Sequence, residues 1–145
     1  VRRLLEIKQR PVHKGLILIG ADLAHVQPYM QALDETHLRK VLDSWPGPAT
    51  WLLPVANWVP RWITGQHDSI ALRLTAHPPA AALCRAFGGA IVSTSANMSK
   101  RPPARTTLQA RIRCANQPDM ILSADTGQLD SPTPIRDALT GHSVR

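Results

Sequence analysis

Gly15-Leu16-Ile17-Leu18-Ile19-Gly20 sets four large aliphatic residues in succession between two glycines. An extended chain turns alternate side chains to opposite faces. This run is apolar on both, so it predicts a strand inside a sheet that is covered on both sides. Helical patterns flank it. Residues 1–9 place Leu4, Leu5 and Lys8 on adjoining turns and end at Pro11, as the last turns of a helix would. Downstream, Asp22 can cap a short helix running toward Met30. Residues 35–45 carry Leu38, Val41 and Leu42 at helical spacing before the stop Pro46-Gly47-Pro48.

Further strands are expected at 50–55 and 69–74, separated by a Pro- and Trp-rich loop with one helical turn around 60–63. Pro79 suits the first turn of a helix through Phe87, and Gly88-Gly89 suits its C-terminal cap. Ala90-Ile91-Val92 then reads as a short buried strand, 104–115 as a helix and 119–122 as another strand, while 134–145 fits no one pattern. The alternation predicts an α/β domain with a mixed sheet.

At 145 residues, one domain spanning 1–145 is the economical expectation. No apolar run approaches the roughly 20 residues of a membrane-spanning helix. Cys84 and Cys114 lack CxxC or Cys/His ligand spacing, so buried free thiols and a reducing, cytoplasmic setting are expected. The first eight residues alternate charged and apolar groups, unlike a secretory signal, and the chain opens on Val1 instead of Met, as a fragment would. Seventeen Lys and Arg against ten Asp and Glu give a net charge of +7, which favours a nucleic acid or polyanionic nucleotide as partner. The cations are scattered and the aromatics number only six, too few for a platform that stacks single strands.

Ser93-Thr94-Ser95-Ala96-Asn97 follows the 90–92 strand directly, where sheets present ligand-binding groups. In extended geometry Ser93, Ser95 and Asn97 project to one side, a row suited to hydroxyl, carboxylate or phosphate. The alternative is a polar turn whose side chains bond locally. Neither of the glycine-rich phosphate loops, GxxxxGK(S/T) or GxGxxG, is present, so discrete cations would have to neutralise a nucleotide. Lys8 and Arg10 could converge on one phosphate if the backbone leaves helical geometry there, with Lys14 adding a third cation; a solvated helix end is the alternative. Arg73 shares a strand face with Ala71, opposite Ile70 and Leu72, and is either a site residue or a solvent-facing one. The six histidines form no HxxxH pair, which argues against zinc, and no GxSxG elbow marks a serine nucleophile. Trp45, Trp51, Trp58 and Trp62 read as packing beneath the proline-rich loops.

The segments KQRPVHKGLILIG, SWPGPAT, SIALRLTAHP, IVSTSANMSKRPPARTT and TPIRDALTGHSVR, in this order, resemble the YrdC-like family, and within it the single-domain bacterial threonylcarbamoyl-AMP synthases. The resemblance covers nearly the whole chain and pairs the KxR motif with SxN. It implies a twisted mixed sheet with helices around a basic concave cavity. It also implies condensation of L-threonine, bicarbonate and ATP into threonylcarbamoyl-adenylate and pyrophosphate, with Mg2+, for threonylcarbamoyladenosine in tRNA. Carried onto this sequence, Lys8, Arg10 and Lys14 would meet the triphosphate, and Ser95 and Asn97 the nucleotide or intermediate. Arg73 and Ser93 would lie at threonine, with Ser69 and Arg145 as further ATP contacts.

Compared with the family pattern, the N-terminal strand and PTET-YGLG-like segment are missing. Gly15 stands where proline is usual, which predicts a looser turn, and Ile19 where some relatives carry histidine. A downstream threonylcarbamoyl-transferase complex would take the product. The family resemblance also fits a non-catalytic module for tRNA or double-stranded RNA, or part of a carbamoyl-transferring hydrogenase-maturation enzyme.

Overall fold

The computed structural model describes residues 1–98, 101–114, 117–127 and 133–144. Along these run α1 (Arg2–Lys8), a 3-10 turn (Val12–Lys14), β1 (Ile17–Gly20), α2 (Leu23–Val26), a second 3-10 turn (Gln27–Tyr29) and α3 (Glu35–Leu42). There follow β2 (Thr50–Pro54), α4 (Arg61–Thr64), β3 (Ser69–Leu74), α5 (Pro78–Phe87), β4 (Ile91–Ser93), α6 (Thr107–Arg113) and β5 (Ile135–Asp137). The strands form one sheet in the order β4-β1-β3-β2-β5. β1 runs parallel to β3 and antiparallel to β4, while β2 runs antiparallel to β3 and parallel to β5, so the expected mixed α/β sheet is present. No helix among the described residues is long and apolar enough to cross a membrane.

Register divides the side chains between two faces, because residues opposite one another in a ladder point the same way. Leu18, Leu72 and Trp51 lie in one row across β1, β3 and β2, with Val92 beside them on β4. This face forms the main core, packed on Leu5 of α1, Val26 of α2 and Val41 of α3. Trp51, Leu53, Ile70 and Leu72 are fully buried, and each contributes about 1.5–3 kcal/mol of transfer free energy. The opposite face carries Ser93, Ile17, Ala71 and Leu52 in one row and Ile91, Ile19 and Arg73 in the next. There α5 covers Ile19 with Ala81 and Cys84, whose thiol stays free. Ile17, Ala71 and Leu52 of the first row floor a cavity.

Local signals explain most of the elements. The Asp34 side chain accepts the His37 N–H at 3.0 Å and starts α3, and Thr106 does the same for α6 from Gln109 at 3.1 Å. Asp22 occupies the cap position of α2 without a side-chain bond, and that helix gives way to a 3-10 turn at Gln27. Gly88 ends α5 with φ 76°.

Three expectations fail. Residues 119–122 form no strand: Met120 is 85% and Leu122 62% exposed, so the apolar run has no sheet to join. The turn at Gly15 is tight, with φ 61° and ψ 178°, a conformation closed to proline and to any residue with a Cβ, which would sit 2.8 Å from Thr64 O. Of the four tryptophans, Trp45 and Trp51 are buried, but Trp58 and Trp62 are exposed.

Candidate active site

α1 ends where Gln9 takes the left-handed conformation, φ 49° and ψ 41°, and the chain turns sharply into Pro11. Lys8 and Arg10 are thereby sent to different partners. Lys8, 6% exposed, crosses to the loop after β4 and donates to Ser95 O, to Asn97 O at 2.7 Å and to Asn97 Oδ1 at 2.9 Å. An ammonium has three N–H donors, and all three are engaged. Ser95 Oγ donates to Asn97 Oδ1 at 2.6 Å, and Asn97 Nδ2 to Arg101 O. Burial pulls the Lys8 pKa below its ordinary value; the nearby Cys114 thiol opposes this and the Arg10 charge adds to it. The loop is therefore a turn fastened by a lysine, not the extended row considered from the sequence. The strand ends at Ser93, and Asn97 N–H bonds Ser95 O at 2.9 Å. These residues also wall a mainly apolar hollow of about 430 Å3 between α1 and residues 118–120.

Arg10 turns instead onto the next loop. Its Nε and Nη2 donate to Gly15 O at 3.1 and 2.9 Å, and Nη1 makes no bond among the described residues. Arg10, Lys14, Thr64, His67 and Ser69 line the polar side of a cavity of about 200 Å3 floored by Ile17, Leu52, Ala71 and Ile135. It lies on the sheet's second face, with Ile63 and Thr64 of α4 at its side. Lys8 and Arg10 thus bond to different loops in this structure. Lys8 belongs to the Ser95–Asn97 turn, and Arg10 joins Lys14 and Ser69 at the cavity.

On the same sheet face Arg73 donates from Nη1 to Thr133 Oγ1 at 2.6 Å and from Nη2 to Ser93 Oγ at 3.4 Å. Its Nε is buried with no partner among the described residues, and no carboxylate is paired with the guanidinium among them. Burial pulls its pKa down as well. Among the described residues this half-buried cation has hydroxyl partners and no counter-charge, and leaving such a group unpaired costs several kcal/mol, so the arrangement suits an anion. The structure therefore joins Arg73 to Ser93, Lys8 to Ser95 and Asn97, and Arg10 to Lys14 and Ser69. Arg145 lies outside the described residues. Sequence reasoning missed Thr64, His67 and Thr133: the first two belong to no motif and reach the cavity through the folding of α4 against the Val12–Lys14 turn, and Thr133 opens the TPIRDALTGHSVR segment without having been singled out.

Fold and cavity together define an α/β domain with a cation-rimmed, apolar-floored cavity on one sheet face. Comparison with known proteins gives that class its family. The model of the Sua5/YciO/YrdC family, described as "Telomere recombination", matches residues 1–145, and the chain belongs to this family. Curated relatives include the threonylcarbamoyl-AMP synthase of Stenotrophomonas maltophilia (strain K279a), 49% identical over 147 residues that cover 100% of this chain and 79% of that protein. The threonylcarbamoyl-AMP synthase of Cellvibrio japonicus (strain Ueda107) is 48% identical, over 100% and 77%. Among solved structures, P. abyssi Sua5 complexed with L-threonine superposes with a TM-score of 0.86 at 27% identity, covering 94% of this chain and 40% of that one. E. coli YciO gives 0.77 at 27%, over 94% and 66%.

Proposed function

We propose that this protein is a threonylcarbamoyl-AMP synthase, which condenses L-threonine, bicarbonate and ATP into threonylcarbamoyl-adenylate and pyrophosphate. Similarity over the whole chain to proteins of that name supports the reading, as does likeness to a family member holding L-threonine. The geometric observation that carries it is Arg73, a half-buried guanidinium that among the described residues has hydroxyl partners and no acid, on the sheet face that also floors the cavity.

Arg73 would pair with the threonine carboxylate, beside the Ser93 hydroxyl. Arg10, Lys14 and Ser69 would hold the triphosphate, with Arg145 as a further contact. Ser95 and Asn97, set in place by Lys8, would bond the nucleotide or the carbamoylated product. In the reaction the threonine nitrogen forms a bond to the bicarbonate carbon and water leaves. A carbamate oxygen then attacks the α-phosphorus as its bond to pyrophosphate breaks. The protein supplies orientation and charge stabilisation and needs no nucleophile of its own. Mg2+ would arrive on the triphosphate as part of the substrate. The product is a mixed anhydride, which would pass in the cytoplasm to a transferase that modifies tRNA. The net charge of +7 also suits direct contact with tRNA.

Pyrophosphate release from ATP tests the proposal. Release that requires both threonine and bicarbonate supports it. Salt-sensitive RNA binding without turnover points instead to a non-catalytic module.

A further inference from the structure

The rim of the cavity is built from two loops whose backbones touch. A Cβ on Gly15 would lie 2.8 Å from Thr64 O, and one on Gly65 would lie 2.2 Å from His13 O and 2.5 Å from Gly15 N. Hydrogen bonds seal the contact: Leu16 N–H donates to Ile63 O at 2.8 Å and Gln66 N–H to His13 O at 3.1 Å. Arg61 Nη1 fixes the next residue by donating to His67 O at 3.1 Å. His67 is therefore held from its main chain on the same rim as Lys14, and both are among the residues that line the cavity. The ring makes no hydrogen bond among the described residues. The neighbouring Asp68 is engaged by Arg61 at 3.5 Å, which offsets its charge.

We propose that His67 is a further anion contact of this cavity, donating an imidazole N–H to the phosphates that leave as pyrophosphate. The inference rests on the nucleotide reading given above. The cavity floor of Ile17, Leu52, Ala71 and Ile135 offers phosphate oxygens nothing in exchange for water, so the charged end of a nucleotide must run along the rim. There Arg10, Lys14 and His67 are the side-chain nitrogen donors among the described residues, and an imidazole supplies at least one N–H in either protonation state.

Titration calorimetry of the whole chain with inorganic pyrophosphate tests this, with L-threonine as the second ligand. His67→Ala should weaken pyrophosphate binding about 5- to 20-fold, with His67→Gln in between and threonine binding within about twofold of wild type. If a variant fails to fold, the ring 15N shifts of His67 in the wild-type protein should move on adding pyrophosphate. Unchanged affinity in both variants, or an unmoved ring, overturns the role of His67 alone. A wild-type chain that binds neither ATP nor pyrophosphate overturns the nucleotide reading, and this role with it.

Discussion

Removing the Lys8 ammonium separates two roles that a lysine in a phosphate-binding motif can play. In Lys8→Met the buried stem is replaced at similar volume while Ser95 O, Asn97 O and Asn97 Oδ1 lose their common donor. Hydrogen bonds from a charged donor contribute about 1.5–3 kcal/mol each, but Ser95 is exposed, so water recovers part of the loss and the turn as a whole should weaken by about 2–3 kcal/mol. At about 1.36 kcal/mol per decade that is a 30- to 150-fold rise in local opening. Hydrogen exchange without ligand reads it at the Asn97, Arg101 and Ala104 amides, which bond Ser95 O, Met98 O and Ala96 O. Lys8→Arg should do nearly as badly, because a planar guanidinium cannot address three acceptors gathered around one nitrogen. Threonine-dependent pyrophosphate release should fall at least tenfold in both. Lost turnover with exchange at 94–104 unchanged in Lys8→Met would refute the fastening role and return Lys8 to the phosphate.

The remaining predictions concern other parts of the molecule. Arg73→Met should abolish L-threonine binding by calorimetry yet leave the thermal midpoint of the free protein equal or higher, since the cation it removes has no acid paired with it among the described residues. A fall in both would mark Arg73 as structural. Thr50→Val should stabilise by about 1 kcal/mol, because Thr50 is fully buried and its hydroxyl has no partner among the described residues; a lower unfolding midpoint would reveal a bond to it. Asp137 Oδ1 accepts the Thr140 and Leu139 N–H groups at 2.8 and 2.9 Å, and the Thr140 bond is the main cause of its depressed pKa. The carboxylate therefore stabilises the fold above the ordinary carboxylate range and loses that effect as pH falls through its lowered value. Asp137→Asn should accordingly lower the thermal midpoint more at pH 7 than at pH 3. Gly65→Ala, at φ 68° and ψ −132° with its Cβ 2.2 Å from His13 O, should cost about 3 kcal/mol or more, read by denaturant unfolding.

Strands were legible where burial dominates. The aliphatic run 16–19 and the alternation in Ser69–Leu74 gave β1 and β3 because every side chain there is set by one face or the other. The 119–122 run misled because exposed Met120 and Leu122 carry the same composition without a partner strand. The site was legible in its residue types but not in its pairings. KxR invites two cations onto one phosphate, yet a single left-handed residue, Gln9, sends them to different loops. Such a turn is a tertiary choice, fixed by what Lys8 can reach 87 residues away. His67 carried no local signal, since its place depends on the contact of Gly15 with Thr64 and of Gly65 with His13.

That contact also explains why the cations near the cavity can be few. A glycine-rich phosphate loop brings many backbone N–H groups to an anion, whereas here the N–H groups of Gly15, Leu16 and Gln66 are spent on Val12 O, Ile63 O and His13 O. Locking the loops removes those donors from the ligand but fixes the stems of Arg10, Lys14 and His67, so less side-chain freedom is lost when an anion binds. The arrangement ties affinity to the rigidity of the rim more than to the number of charges on it. Gly15→Ala, which strains the rim without touching a charge, should therefore weaken pyrophosphate binding by calorimetry at least as much as the neutral substitution Lys14→Met. Full binding in a folded Gly15→Ala protein would show that charge alone decides the affinity.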